Sequence, residues 1–131
     1  MAKKSWAYDN PVYRARYSAV INLPAQAASA TAAKFIAFAA MRIKSIRANV
    51  NIAGTNTDAG YDILNGTTSI GALVCGTSAA GAVIAAVLPT AANGTLAENG
   101  YIELKTKATS ATMATSVMIE YEITPGAEIT A

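Results

Sequence analysis

Ile46-Arg47-Ala48-Asn49-Val50-Asn51-Ile52 is the stretch that decides the fold. Apolar residues take every second position and polar ones fill the gaps. That is the period of a β-strand with one face buried. Just upstream, Met41 and Ile43 carry the opposite parity, so one extra residue must enter the strand near Lys44-Ser45 as a bulge or corner.

The same period recurs on both sides. Tyr13, Ala15, Tyr17, Ala19, Ile21 and Leu23 alternate with Arg14, Arg16, Ser18 and Asn22, and Pro24 ends the run. Near the other end, Val117, Ile119, Tyr121 and Ile123 alternate with Met118, Glu120, Glu122 and Thr124, closed by Pro125-Gly126. Between them lie short strands at Tyr61-Asp62-Ile63-Leu64, Ser69 to Cys75, Ala82 to Leu88 and Tyr101 to Lys107. Turn chemistry separates them: the Gly54–Gly60 loop, an Asn65-Gly66 hairpin in which both residues tolerate positive φ, the Gly76–Gly81 turn, and a longer Pro89–Gly100 loop. Residues 25–33 are alanine-rich and compatible with a short helix by propensity. The bulky Phe35-Ile36-Ala37-Phe38 that follows favours a loop and then a strand from Lys34 to Ala39. The expectation is an all-β fold: an eight-stranded antiparallel two-sheet sandwich, jelly-roll-like, over residues 13–125, with an extended N-terminal arm at 1–12 and a short tail at 126–131.

Composition bounds the function. The 131 residues suffice for one domain, and 30 of them are alanine. Alanine gains little on burial at roughly 25 cal/mol per Å², so a thin core stabilised by neighbouring subunits is expected. No segment approaches the ~20 apolar residues of a membrane span, and no apolar stretch of a signal peptide follows Lys3 and Lys4. The single Cys75 has no internal disulfide partner and, within Ala72-Leu73-Val74-Cys75, reads as a small core residue. Charge is unevenly distributed. Residues 1–48 hold eight Lys and Arg against Asp9 alone, whereas residues 49–131 hold Lys105 and Lys107 against seven acidic residues. Either the first and last strands pair and neutralise one another across the sheet, or the basic half docks on an acidic partner.

The chemistry of turnover is missing from the residue list. There is no histidine, which removes the usual Ser-His and Cys-His pairs and the commonest metal ligand. Glu120 and Glu122 share one strand face, expected to be solvated, and so cannot flank a bond as a glycosidase pair does. The loop from Asn56 to Asp62 lacks the carboxylate density of a calcium loop, and the Gly71–Gly81 stretch lacks the Gly-Lys-Ser/Thr ending of a phosphate loop. Arg14 and Arg16 share a face, as do Arg42 and Lys44, but Tyr13 and Tyr17 lie on the opposite parity, which disfavours a base-stacking platform. No enzyme, cofactor, metal or nucleic-acid partner is expected.

Three stretches then become familiar: Lys34-Phe35-Ile36-Ala37-Phe38 through Ile43 to Val50, Gly60-Tyr61-Asp62-Ile63-Leu64-Asn65-Gly66-Thr67-Thr68-Ser69-Ile70-Gly71, and Gly100-Tyr101-Ile102-Glu103-Leu104-Lys105. Together, over about residues 33–123, the chain resembles small jelly-roll virion proteins of tailed bacteriophages, the decoration, cement or minor head proteins. The resemblance implies a trimer on the exterior of a capsid, made in the host cytoplasm, with the major capsid protein as partner. Another virion part (tail, neck or fibre base) and a carbohydrate-binding sandwich are the alternatives. The residues expected to reach a neighbour are Lys3, Lys4, Trp6 and Tyr8 of the arm, with Arg14 and Arg16 at the start of the first strand; Trp and Tyr bury much area at little entropic cost.

Overall fold

A computed structural model describes residues 16–26, 29–85, 89–90, 92–107 and 112–124. The arm, residues 13–15 of the first expected strand and the tail lie outside them. The described chain is all β: β1 (Arg16–Leu23), β2 (Thr31–Ile36), β3 (Met41–Ile52), β4 (Gly60–Asn65), β5 (Thr68–Val74), β6 (Val83–Ala85), β7 (Thr95–Leu96), β8 (Tyr101–Thr106) and β9 (Ala114–Ile123).

The strands form two antiparallel sheets. The first has the order β1-β9-β3-β6, with β7 extending the β6 edge of β3, and the second has the order β2-β8-β4-β5. Pairs nest one inside another: β1 with β9, β2 with β8, β3 with β6, β4 with β5. A long hairpin wound on itself gives this order, which is the jelly roll. Nine strands replace the expected eight. The additional β7 contributes only Thr95 and Leu96, paired with Arg42 and Met41. Flanking turn residues hide so short a strand from any period.

The bulge falls where parity demanded it. The β3–β9 register shifts between Ile43 and Ser45, so Lys44 is the extra residue. Met41 and Ile43 before it and Ile46, Ala48 and Val50 after it are therefore all buried on one side. Facing them across the sandwich are Tyr61, Ile63, Leu73, Ile102 and Leu104 of the second sheet. Only five of the 23 buried apolar residues are alanine. The expectation of a thin, alanine-rich core is thus corrected: among the described residues the core is built mainly of Ile, Leu, Val, Tyr and Met, and most of the alanines lie outside it. One buried polar contact ties the sheets together, Tyr61 Oη to Thr115 Oγ1 at 2.9 Å.

Two local expectations change. The helix alternative is overturned, because β2 begins at Thr31 inside the alanine-rich run and ends at Ile36, not at Ala39. Pairing with β8 overrides helix propensity there, and Ala37 turns the corner by donating its N–H to Gly100 O at 2.8 Å and accepting from Asn99 N at 2.8 Å. The hairpin turn is Gly66-Thr67, not Asn65-Gly66: Asn65 pairs with Thr68, and Gly66 alone takes φ 62°. Glycine at the first central position suits a type II′ turn. Asn65 instead ties the hairpin to the next loop, its Nδ2 donating to Asn93 O at 2.9 Å and Thr95 O at 3.1 Å.

Candidate interaction face

The outer face of the first sheet is assembled in rows by strand register. Arg16, Glu122 and Arg42 share one row, then Ser18, Glu120 and Ser45, then Val20, Met118 and Arg47. Arg16 Nη1 meets Glu120 Oε1 at 2.9 Å, and Lys44 Nζ meets Glu122 Oε1 at 3.3 Å. The first and last strands therefore do pair, and their charges compensate across the sheet. Glu122, however, is buried rather than solvated as expected, because the bulge brings the Lys44 side chain down beside it.

At the bulge the face sinks into a cleft of about 380 Å³, lined by Arg16, Arg42, Lys44, Ser45, Arg47 and Glu120. Ser45 is only 4% exposed, and neither its Oγ nor Arg42 Nε has a hydrogen-bond partner. Arg47 is exposed and has no ion pair among the described residues. Arg47 also borders a second hollow of about 300 Å³, where Val20, Val83 and Met118 supply apolar walls. Val20 and Val83 are 63% and 69% exposed. Beyond it the face closes with a polar ladder: Asn51 Nδ2 donates to Ser116 Oγ at 2.9 Å, and Ser116 Oγ donates to Asn22 Oδ1 at 2.8 Å.

A second exposed feature lies along the β1–β2 edge of the sandwich. Tyr121 is ringed by Tyr17, stacked at 5.7 Å, Phe35 at 5.3 Å and Phe38 edge-on at 6.2 Å. Phe38 remains 53% exposed there, and Ile36, 61% exposed, faces outward from β2 with the parity opposite to Phe35. Exposed aromatic surface of this kind is typical of protein contact sites.

Of the residues expected to reach a partner, Lys3, Lys4, Trp6, Tyr8 and Arg14 lie outside the described residues. Arg16 stands at the rim of the cleft with its guanidinium engaged by Glu120. Arg42, Ser45 and Arg47 were not expected as a group. Their signal was the bulge itself: an inserted residue turns Ser45 outward into register with Glu120, beside Arg42 and Arg47. Cys75 is in the core, where burial pushes its thiol pKa up and suppresses the reactive thiolate. Burial also raises Tyr61, opposed by its hydrogen bond to Thr115 and assisted by nearby Cys75.

The chain matches no family model, no curated protein and no solved structure.

Proposed function

We propose that this chain is a structural protein of a virus particle, a decoration or cement protein that binds the major capsid protein lattice and stabilises it, acting as a trimer on the exterior and catalysing no reaction. The observation that carries the reading is the aromatic edge: the half-exposed Phe38 projects beside the Tyr17–Tyr121 stack of the jelly roll. Large apolar side chains left in water at one place favour a role in binding other proteins. The jelly-roll strand order is one used by viral capsid domains, though also by lectins. A sugar-binding sheet face would present free aromatic rings. The half-exposed Tyr101 ring of the second sheet is instead covered by Lys34 Nζ, 4.7 Å from its centroid, which gives the carbohydrate alternative less support.

Light scattering on the purified chain tests the assembly. A particle near three times 13.4 kDa is expected, falling toward 13.4 kDa in Phe38→Ser. Occupancy on capsids lacking the protein, with and without residues 1–12, tests the partner. A monomer that leaves capsid stability unchanged would remove this reading.

A further inference from the structure

The outer face of the first sheet holds donors that its own chain does not use. Among the described residues only two buried side-chain polar atoms lack a partner, Arg42 Nε and Ser45 Oγ, and both belong to the cleft at the β3 bulge. Buried polar atoms in native proteins are almost always satisfied. Two orphaned donors on residues that line one cleft point to an acceptor from outside. Charge says what kind. Arg16 is engaged by Glu120 and Lys44 by Glu122, whereas among the described residues neither Arg42 nor Arg47 has an ion pair. Among the described residues the cleft therefore carries more positive than negative charge at the place where its donors lack acceptors.

We propose that this cleft receives the carboxylate of an Asp or Glu side chain on a partner protein, with apolar neighbours of that carboxylate resting in the adjoining hollow of Val20, Val83 and Met118. The Arg42 guanidinium offers a planar fork of N–H donors that matches two carboxylate oxygens. Ser45 joins by turning its hydroxyl outward about χ1, from one staggered position to another. Arg47, which borders both hollows, orients the acidic group at their junction.

Three observations favour a protein carboxylate over the phosphates of a nucleic acid. Glu120 and Glu122 belong to the same face and repel a polyanion. The adjoining hollow is apolar. The nearest aromatics, Tyr17 and Tyr121, stack on each other at the sandwich edge instead of offering free faces to bases. The inference rests on the structural-protein reading only for the partner being a protein. Carboxylate binding by the isolated chain is testable without a particle.

The experiment is an amide NMR titration of the full chain with four probes: acetylated and amidated valyl-glutamyl-valine, its glutaminyl counterpart, inorganic phosphate and a short single-stranded oligonucleotide. The expected result is saturable shifts at Arg42, Ser45, Arg47 and Met118 with the glutamyl peptide and none with the glutaminyl one. Arg47→Gln, at an exposed position that leaves the amide spectrum otherwise intact, should weaken that binding about tenfold. Absence of saturation, an equal response to the glutaminyl peptide, or binding unmoved by Arg47→Gln would overturn the site. Tighter binding of phosphate or oligonucleotide in the cleft would overturn its assignment to a protein carboxylate. Silence in this titration alongside normal capsid binding sinks the site alone; a positive titration without capsid binding sinks the virion role alone.

Discussion

The two outer faces of the sandwich are made by the same alternation of side chains, yet one is chemically finished and the other is not. On the second sheet, Lys34 lies over the Tyr101 ring, Thr31 donates to Glu103, and Lys107 pairs with Asp62 at 3.6 Å. On the first, two ion pairs surround a cleft where, among the described residues, Arg42 Nε and Ser45 Oγ have no partner and Arg47 no ion pair. The second sheet sets Lys34 opposite Glu103 and Asp62 opposite Lys105, even though its own ladders shift register at Thr31/Ala33 and Ile63/Leu64. On the first sheet the bulge at Lys44 falls among the charges themselves, between Arg42 and Arg47. A face whose polar groups are mutually satisfied gains little from a partner, whereas an unfinished one gains both hydrogen bonds and charge compensation.

The most drastic way to break the comparison is to remove the second sheet from it. A methyl group on Gly60 would sit 1.9 Å from Leu73 O in the neighbouring strand. Gly60→Ala should therefore cost about 3 kcal/mol or more in urea unfolding, because backbone must shift to admit it. An unchanged midpoint would refute the close approach of β4 to β5. Next in size is the tie between the sheets. Tyr61→Phe leaves the fully buried Thr115 hydroxyl without its partner and should cost about 1–2 kcal/mol. Adding Thr115→Val should recover part of that loss, and no recovery would mean the hydrogen bond is not the cause.

The core also sets an alkaline limit. Cys75 and Tyr61 both hold their protons more tightly folded than unfolded, chiefly through burial. Their contribution is full below the ordinary values of 9.0 and 10.0 and is lost as pH rises beyond them. Thermal scans should show stability falling in that direction, with a smaller fall in Cys75→Ala. A flat profile above pH 9 would contradict the burial of these groups.

Smaller effects sharpen the contrast between faces. Ser45→Ala removes an unsatisfied hydroxyl and should raise stability by up to about 1 kcal/mol, whereas Thr31→Ala on the finished face removes a partner of Glu103 and should lower it by about 0.5 kcal/mol. The same sign for both would erase the distinction. Smallest of all, Arg16→Gln should shift stability by no more than about 0.5 kcal/mol, less at high salt, since its side chain is largely exposed.

Much of this architecture is legible in the sequence. Parity in Ile46–Ile52 against Met41–Ile43 located the bulge to within a residue, because burial of one face punishes any other register. Clean alternation likewise found β1, β8 and β9. Where residues are small or runs short, the period carries no information. The alanines of β2 gave no cue to their strand, and Leu96 of β7 stood alone among turn residues. Asn65 misled for another reason: its amide is committed to Asn93 and Thr95, a contact between loops far apart in sequence. The aromatic edge was hidden similarly, since Tyr17, Phe35, Phe38 and Tyr121 come from distant segments that only the wound topology brings together. Of the cleft, the charges could be read from sequence, but their grouping around Ser45 required the register between β3 and β9.

The register of the first and last strands also determines how the molecule bears a mechanical load. Arg16 lies opposite Glu122 and Leu23 opposite Thr115, so the chain enters β1 and leaves β9 at the same end of one ladder. A pull between those two points opens the ladder rung by rung, as a zipper parts, and never strains all its hydrogen bonds together. Tension carried across the face of the sheet, through a partner gripping β1, β9 and β3 at once, loads every rung in parallel. The sandwich is thus weak when tugged by its ends and strong when held by its face.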